Sequence, residues 1–70
     1  MIIKAIYEGT HDMGGYKQGV EYELKLTQLT KPGEVRVEPL RKDPYARVVK
    51  YSSFIAFLKN WTNIKPQKEL

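Results

Sequence analysis

The chain of 70 residues contains no cysteine. That excludes disulfides, and with them every metal site built on thiolates. Histidine occurs once, at position 11, so a set of imidazole ligands is excluded as well. No apolar run approaches the roughly 20 residues that a membrane-spanning helix needs. The opening MIIKAIYEG is interrupted by Lys4 and ends too soon for a signal peptide. The expected location is therefore the cytoplasm, with no membrane partner. The glycosylation sequon Asn60-Trp61-Thr62 then has no consequence. Internal repeats and low-complexity tracts are lacking too.

What remains must fold around one apolar core. A chain of this length buries only about 60% of the surface its unfolded form exposes, so stability is modest. The hydrophobic content of 41% suits a folded chain. One domain over residues 1–65 is expected, followed by a frayed tail at 66–70 that begins with Pro66. The net charge of +4 is unevenly spread. Residues 1–30 carry three cations against four carboxylates, and residues 31–70 carry nine against four. A basic second half invites a nucleic-acid reading, yet +4 is also an ordinary solubilising charge.

Periodicity supplies the elements. In VEYELKLTQL, Val20, Tyr22, Leu24 and Leu26 alternate with Glu21, Glu23, Lys25 and Thr27, which marks a strand with one buried and one wet face. KPGE at 31–34 follows; Pro32 and Gly33 suit the two central positions of a type II turn. VRVEP then resumes the alternation, so 20–29 and 34–38 form an antiparallel hairpin. IIKAIYE at 2–8 is another strand, apolar on both Ile3/Ala5/Tyr7 and Ile2/Ile6, and YARVVKY at 45–51 is a fourth. In YSSFIAFLKNW the period changes. Phe54, Phe57, Leu58 and Trp61 make one stripe on a short helix, expected to face the core. Ser52 or Ser53 caps its start, and Lys59 suits its last turn. A brief fifth strand is expected around 61–65. The fold class is mainly β: a five-stranded small barrel with one short helix near the C-terminus.

The first third resembles an SH3 domain. AIYEG at 5–9 is similar to that family's Ala-Leu-Tyr-Asp-Tyr opening, and GYKQGVEYEL at 15–24 to its diverging turn. The resemblance implies an SH3-like barrel. It does not imply the family's polyproline ligand, which is held by a set of aromatic side chains. Tyr7 matches the first of these, but Gly9 stands where a second tyrosine would be, and the 34–38 strand has no tryptophan. The ending YSSFIAFLKNW resembles small uncharacterised phage and prophage proteins with SH3-like barrels.

The glycine-rich stretch GTHDMGGYKQG at 9–19 gathers the single histidine, Asp12, Tyr16 and Lys17. A phosphate loop would lead into a helix, whereas a strand follows here, and Lys17 is followed by Gln18 instead of Ser or Thr. His11 and Asp12 have no further ligand for zinc. A Ser-His-Asp set drawn from Ser52 or Ser53, His11 and Asp12 lacks any nucleophile-elbow pattern. No catalytic, metal or cofactor residue is assigned, and no enzyme is expected. The turn of a small barrel accounts for the stretch, with Gly14, Gly15 and Gly19 at positive φ and Tyr16 packed over the barrel mouth.

The functional expectation is a non-catalytic binding module that contacts a protein partner, possible roles including that of a phage or prophage accessory protein acting on a host component. The expected contact residues are Tyr16, Arg41, Lys42, Tyr45 and Arg47, on two loops that the SH3 resemblance places beside one groove. Tyr and Arg offer large contact area with a polar handle. The alternative is nucleic-acid binding through the basic 36–51 face, where Arg36, Arg41, Lys42, Arg47 and Lys50 are interleaved with Tyr45 and Tyr51. A solvated sheet face broken by Glu38 and Asp43 is the plainer account of those charges.

Overall fold

A computed structural model describes residues 1–9, 14–29, 31, 33–41 and 45–67. Five antiparallel strands form one sheet: β1 (Ile2–Tyr7), β2 (Glu21–Gln28), β3 (Val35–Pro39), β4 (Val49–Tyr51) and β5 (Trp61–Gln67), with helix α1 (Phe54–Asn60) between the last two. The sheet order is β4-β3-β2-β1-β5, so the last strand returns beside the first. The sheet is not closed: β4 and β5 are its edges, and α1 touches both.

The doubtful facing of β1 is settled by its place in the middle of the sheet. Ile3, Ala5 and Tyr7 are buried, while Ile2 and Ile6 are half-buried on the other face. On β2 the alternation holds for Tyr22, Leu24 and Leu26, which face the core. Val20 does not follow it. It precedes the first residue of β2 and is exposed. The β2–β3 hairpin closes as its turn chemistry requires. Gly33 has φ +84, and the Glu34 N–H donates to the Lys31 carbonyl at 3.1 Å.

Three expectations are corrected. First, the fourth strand is only three residues long. The 45–48 segment leaves the sheet, and the Arg47 N–H donates instead to the Gly14 carbonyl at 2.7 Å. Second, the helical stripe is only half core. Phe57 and Trp61 are buried, but Phe54 and Leu58 are 49% and 43% exposed. Of the seven residues of the helix Phe57 alone is buried, with Ala56 packed partly against the core. Third, β5 runs on through Pro66 to Gln67. Proline is tolerated there because β5 is an edge strand, where a missing ladder donor costs little.

Helix capping is as the sequence predicts. The Ser53 hydroxyl accepts from the Ala56 N–H at 3.1 Å, and Lys59 lies in the last turn. Among the described residues, no helix is long and apolar enough to cross a membrane.

Aromatic rings hold the core together. Trp61 lies 5.0 Å, centroid to centroid, from both Tyr7 and Tyr16, and Phe57 stacks on it at 6.0 Å. Its indole N–H donates to the Tyr51 hydroxyl at 3.1 Å inside the core, which satisfies the polar handle of a buried tryptophan.

Candidate functional site

The long connection after β1 and the connection between β3 and β4 are brought together. Three contacts join them. The first is the hydrogen bond from Arg47 to the Gly14 carbonyl. The second runs from the Tyr16 hydroxyl to the Arg47 carbonyl at 3.0 Å. The third is the close approach of Gly15 to the Tyr45 backbone: a Cβ on Gly15 would run into the Tyr45 carbonyl. With φ at +77, this position also favours glycine for its own conformation. Gly14 and Gly15 therefore serve loop-to-loop packing, whereas Gly19, at φ +82, has open space around it. His11 and Asp12 lie outside the described residues.

The predicted contact residues divide. Tyr16 is a correction: it is 2% exposed, and its ring belongs to the core beside Tyr7, Tyr22 and Trp61. A ring that packs on three aromatic neighbours while its hydroxyl is bonded to the opposite loop has no surface left to offer a partner. Tyr45, by contrast, is 69% exposed. Arg41 and Arg47 are exposed as well, and both line a groove of about 310 Å³ with Glu38, Pro39, Leu40, Ala46 and Val48. Lys42 lies outside the described residues.

Arg41 stands on a ridge. It also lines a second groove, of about 460 Å³, on the outer sheet face with Lys4, Glu21 and Glu23. Its guanidinium meets the Glu23 carboxylate at 3.2 Å. The Arg41 side of that pair is 84% exposed and open to solvent screening, so the pair contributes little, while the Glu23 side is 28% exposed.

Sequence reasoning missed two exposed apolar residues here, Leu40 and Val48. Each sits next to residues that do face inward or along the sheet, and no periodicity separates them once the chain leaves the strand. It also assigned to the core two residues, Phe54 and Leu58, that belong to an exposed apolar cluster elsewhere. Phe54, Ile55 and Leu58 are exposed on α1, and Met1 and Phe54 line a groove of about 430 Å³ with Leu26 and Val35.

The basic 36–51 face is interrupted. Arg36 lies 3.8 Å from Glu38, and the strand register sets Lys4 opposite Glu23 and Lys25 opposite Glu38. Tyr51, expected on that face as a stacking ring, is 5% exposed and bonded to Trp61. Arg36 and Lys50 do stand opposite one another on β3 and β4.

The residues that the SH3 resemblance singles out are interior. Tyr7 is fully buried. Burial, and next the nearby Tyr51 hydroxyl, raise its phenol above the usual tyrosine range. Gly9 is a glycine for a steric reason: a Cβ there would meet the Tyr7 hydroxyl at 2.5 Å and the Asn60 side chain at 2.8 Å. Among the described residues, no group of three or more His, Asp or Glu side chains comes together. No family model, curated protein or solved structure gives a significant match to the chain.

Proposed function

We propose that this chain is a non-catalytic binding module on an SH3-like small barrel, and that it contacts a protein partner through the 39–48 surface. The observation that carries the reading is the company Tyr45 keeps. Two exposed aliphatic side chains and two arginines surround one groove, and the exposed Tyr45 ring adjoins its Ala46–Val48 wall in the chain, on a segment held by Tyr16 and Gly15. A surface that is anchored and still displays Tyr, Arg and aliphatic groups has the composition of an interface centre. The barrel reading is supported by the strand order, with β5 beside β1 and a helix in the gap between β4 and β5. A phage or prophage accessory role belongs to the same proposal and rests on the likeness of the 51–61 stretch alone.

The test is photo-crosslinking. A benzophenone amino acid at position 45 should give a discrete protein adduct in a lysate of the producing cell, and Arg47→Glu should abolish it. The same probe at Gln18, on the other loop, should give none. Equal adducts from both positions, or none from position 45, would remove the assignment.

A further inference from the structure

The 39–48 surface joins an apolar floor to a cationic rim. Pro39, Leu40, Ala46 and Val48 form the floor, and Leu40 and Val48 are 42% and 45% exposed. Arg41 and Arg47 form the rim. The single carboxylate in the lining, Glu38, is drawn toward Arg36 and has a side chain only 27% exposed. At about 310 Å³ the groove is at the small end for ligand pockets, which suits one or two side chains better than a whole cofactor.

Resting on the reading of this surface as the protein-contact site, we propose that its partner is an extended acidic protein segment. An aliphatic side chain of the segment enters the groove, and carboxylates on either side of it meet Arg41 and Arg47. Guanidinium is suited to this task, because its planar fork takes a carboxylate in two parallel hydrogen bonds. Arg41 already holds one carboxylate, that of Glu23, in a pair 84% exposed on the arginine side. The long-range field favours the same partner: residues 31–70 hold nine cations against four carboxylates, which attracts an acidic chain before contact.

A nucleic acid fits less well. It needs a continuous cationic track beside exposed rings. The track outward from Arg41 is broken by Glu21, Glu23 and Glu38, and Tyr51 is inside. A peptide with a few carboxylates needs only the Arg41–Arg47 end.

The experiment is an amide chemical-shift titration of the isotope-labelled full chain with three probes: a short peptide of alternating Asp and Leu, the same peptide with Lys for Asp, and a short oligothymidylate. The acidic peptide should give saturable shifts confined to residues 39–41 and 45–48, weakening as salt rises. An Arg41→Glu, Arg47→Glu double variant should keep its spectral dispersion and lose affinity about tenfold or more. Shifts at 39–48 from the lysine peptide but not the acidic one would overturn the acidic partner while leaving the surface standing. Saturable acidic-peptide shifts elsewhere, such as on α1, would overturn the surface itself. Shifts across 36–51 with oligothymidylate alone would hand the site to nucleic acid, and silence from all three probes would also overturn the proposal.

Discussion

Residues 14–19 and 40–48 belong to two loops, each with one tyrosine, and the fold treats those tyrosines in opposite ways. Tyr16 is 2% exposed and Tyr45 is 69% exposed. The cause lies in what each loop crosses. The first passes over the end of the sheet where Tyr7, Tyr22 and Trp61 leave a ring-sized place, and Tyr16 fills it. The second is laid on top of the first, through Gly15 and the Tyr16 hydroxyl, so its own core contact is taken by the small Ala46 and Tyr45 points away. One loop is the support and the other is the display.

The largest effect should fall on the aromatic core that the first loop covers. Phe57→Ala should cost on the order of 3–5 kcal/mol. A domain of this size has about 4–10 kcal/mol in all, so a melt should show little folded protein remaining. Phe54→Ala and Leu58→Ala, on the same helix but exposed, should each cost about 1 kcal/mol or less. Equal losses at all three positions would mean that the helix is buried on both sides. Gly15→Val comes next, at about 2 kcal/mol or more, because it adds a left-handed-backbone penalty to a clash with the Tyr45 carbonyl. Amide exchange at Arg47 should quicken in that variant, since its hydrogen bond to Gly14 depends on the same approach. Ser53→Ala should cost about 1 kcal/mol through the lost cap, and chemical denaturation will measure it.

The smallest effect is alkaline. Tyr7 ionises at a higher pH folded than unfolded, so the unfolded chain releases the proton first. Stability from this group is whole below about pH 10 and falls as pH rises through the folded value. Tyr7→Phe should flatten that decline, read as denaturation midpoints across pH 9 to about 11. Proline-rich PxxP peptides should produce no saturable shifts in the same spectra. The rings such peptides stack on, in the family this chain resembles, are inside here or replaced by Gly9.

Much of this was legible in the sequence. Alternation marked β2 and β3, the Pro-Gly pair marked their turn, and the change of period marked α1 between Ser53 and Trp61. That the two loops meet followed from a likeness, and the structure brings them together. The facing of single residues was not legible where regular structure ends. Val20, Leu40 and Val48 look like strand residues by type, and only the register and the reach of the neighbouring loop decide that they face outward. Tyr16 and Tyr45 could not be told apart, since each lies among turn residues and the place for one ring is built by strands remote in sequence. The helical stripe misled for a related reason: periodicity gives a line of apolar side chains but not the width of the core that receives it.

The division between support and display is tested most directly by measuring Tyr16→Ala and Tyr45→Ala side by side, for thermal stability and for binding of the acidic peptide. The account predicts that Tyr16→Ala loses about 3 kcal/mol, a fall in Tm of more than about 10 °C. Tyr45→Ala should melt within about 0.5 kcal/mol of the parent and bind the peptide more weakly. A stable Tyr16→Ala variant, or a Tyr45→Ala variant that unfolds early, would contradict it.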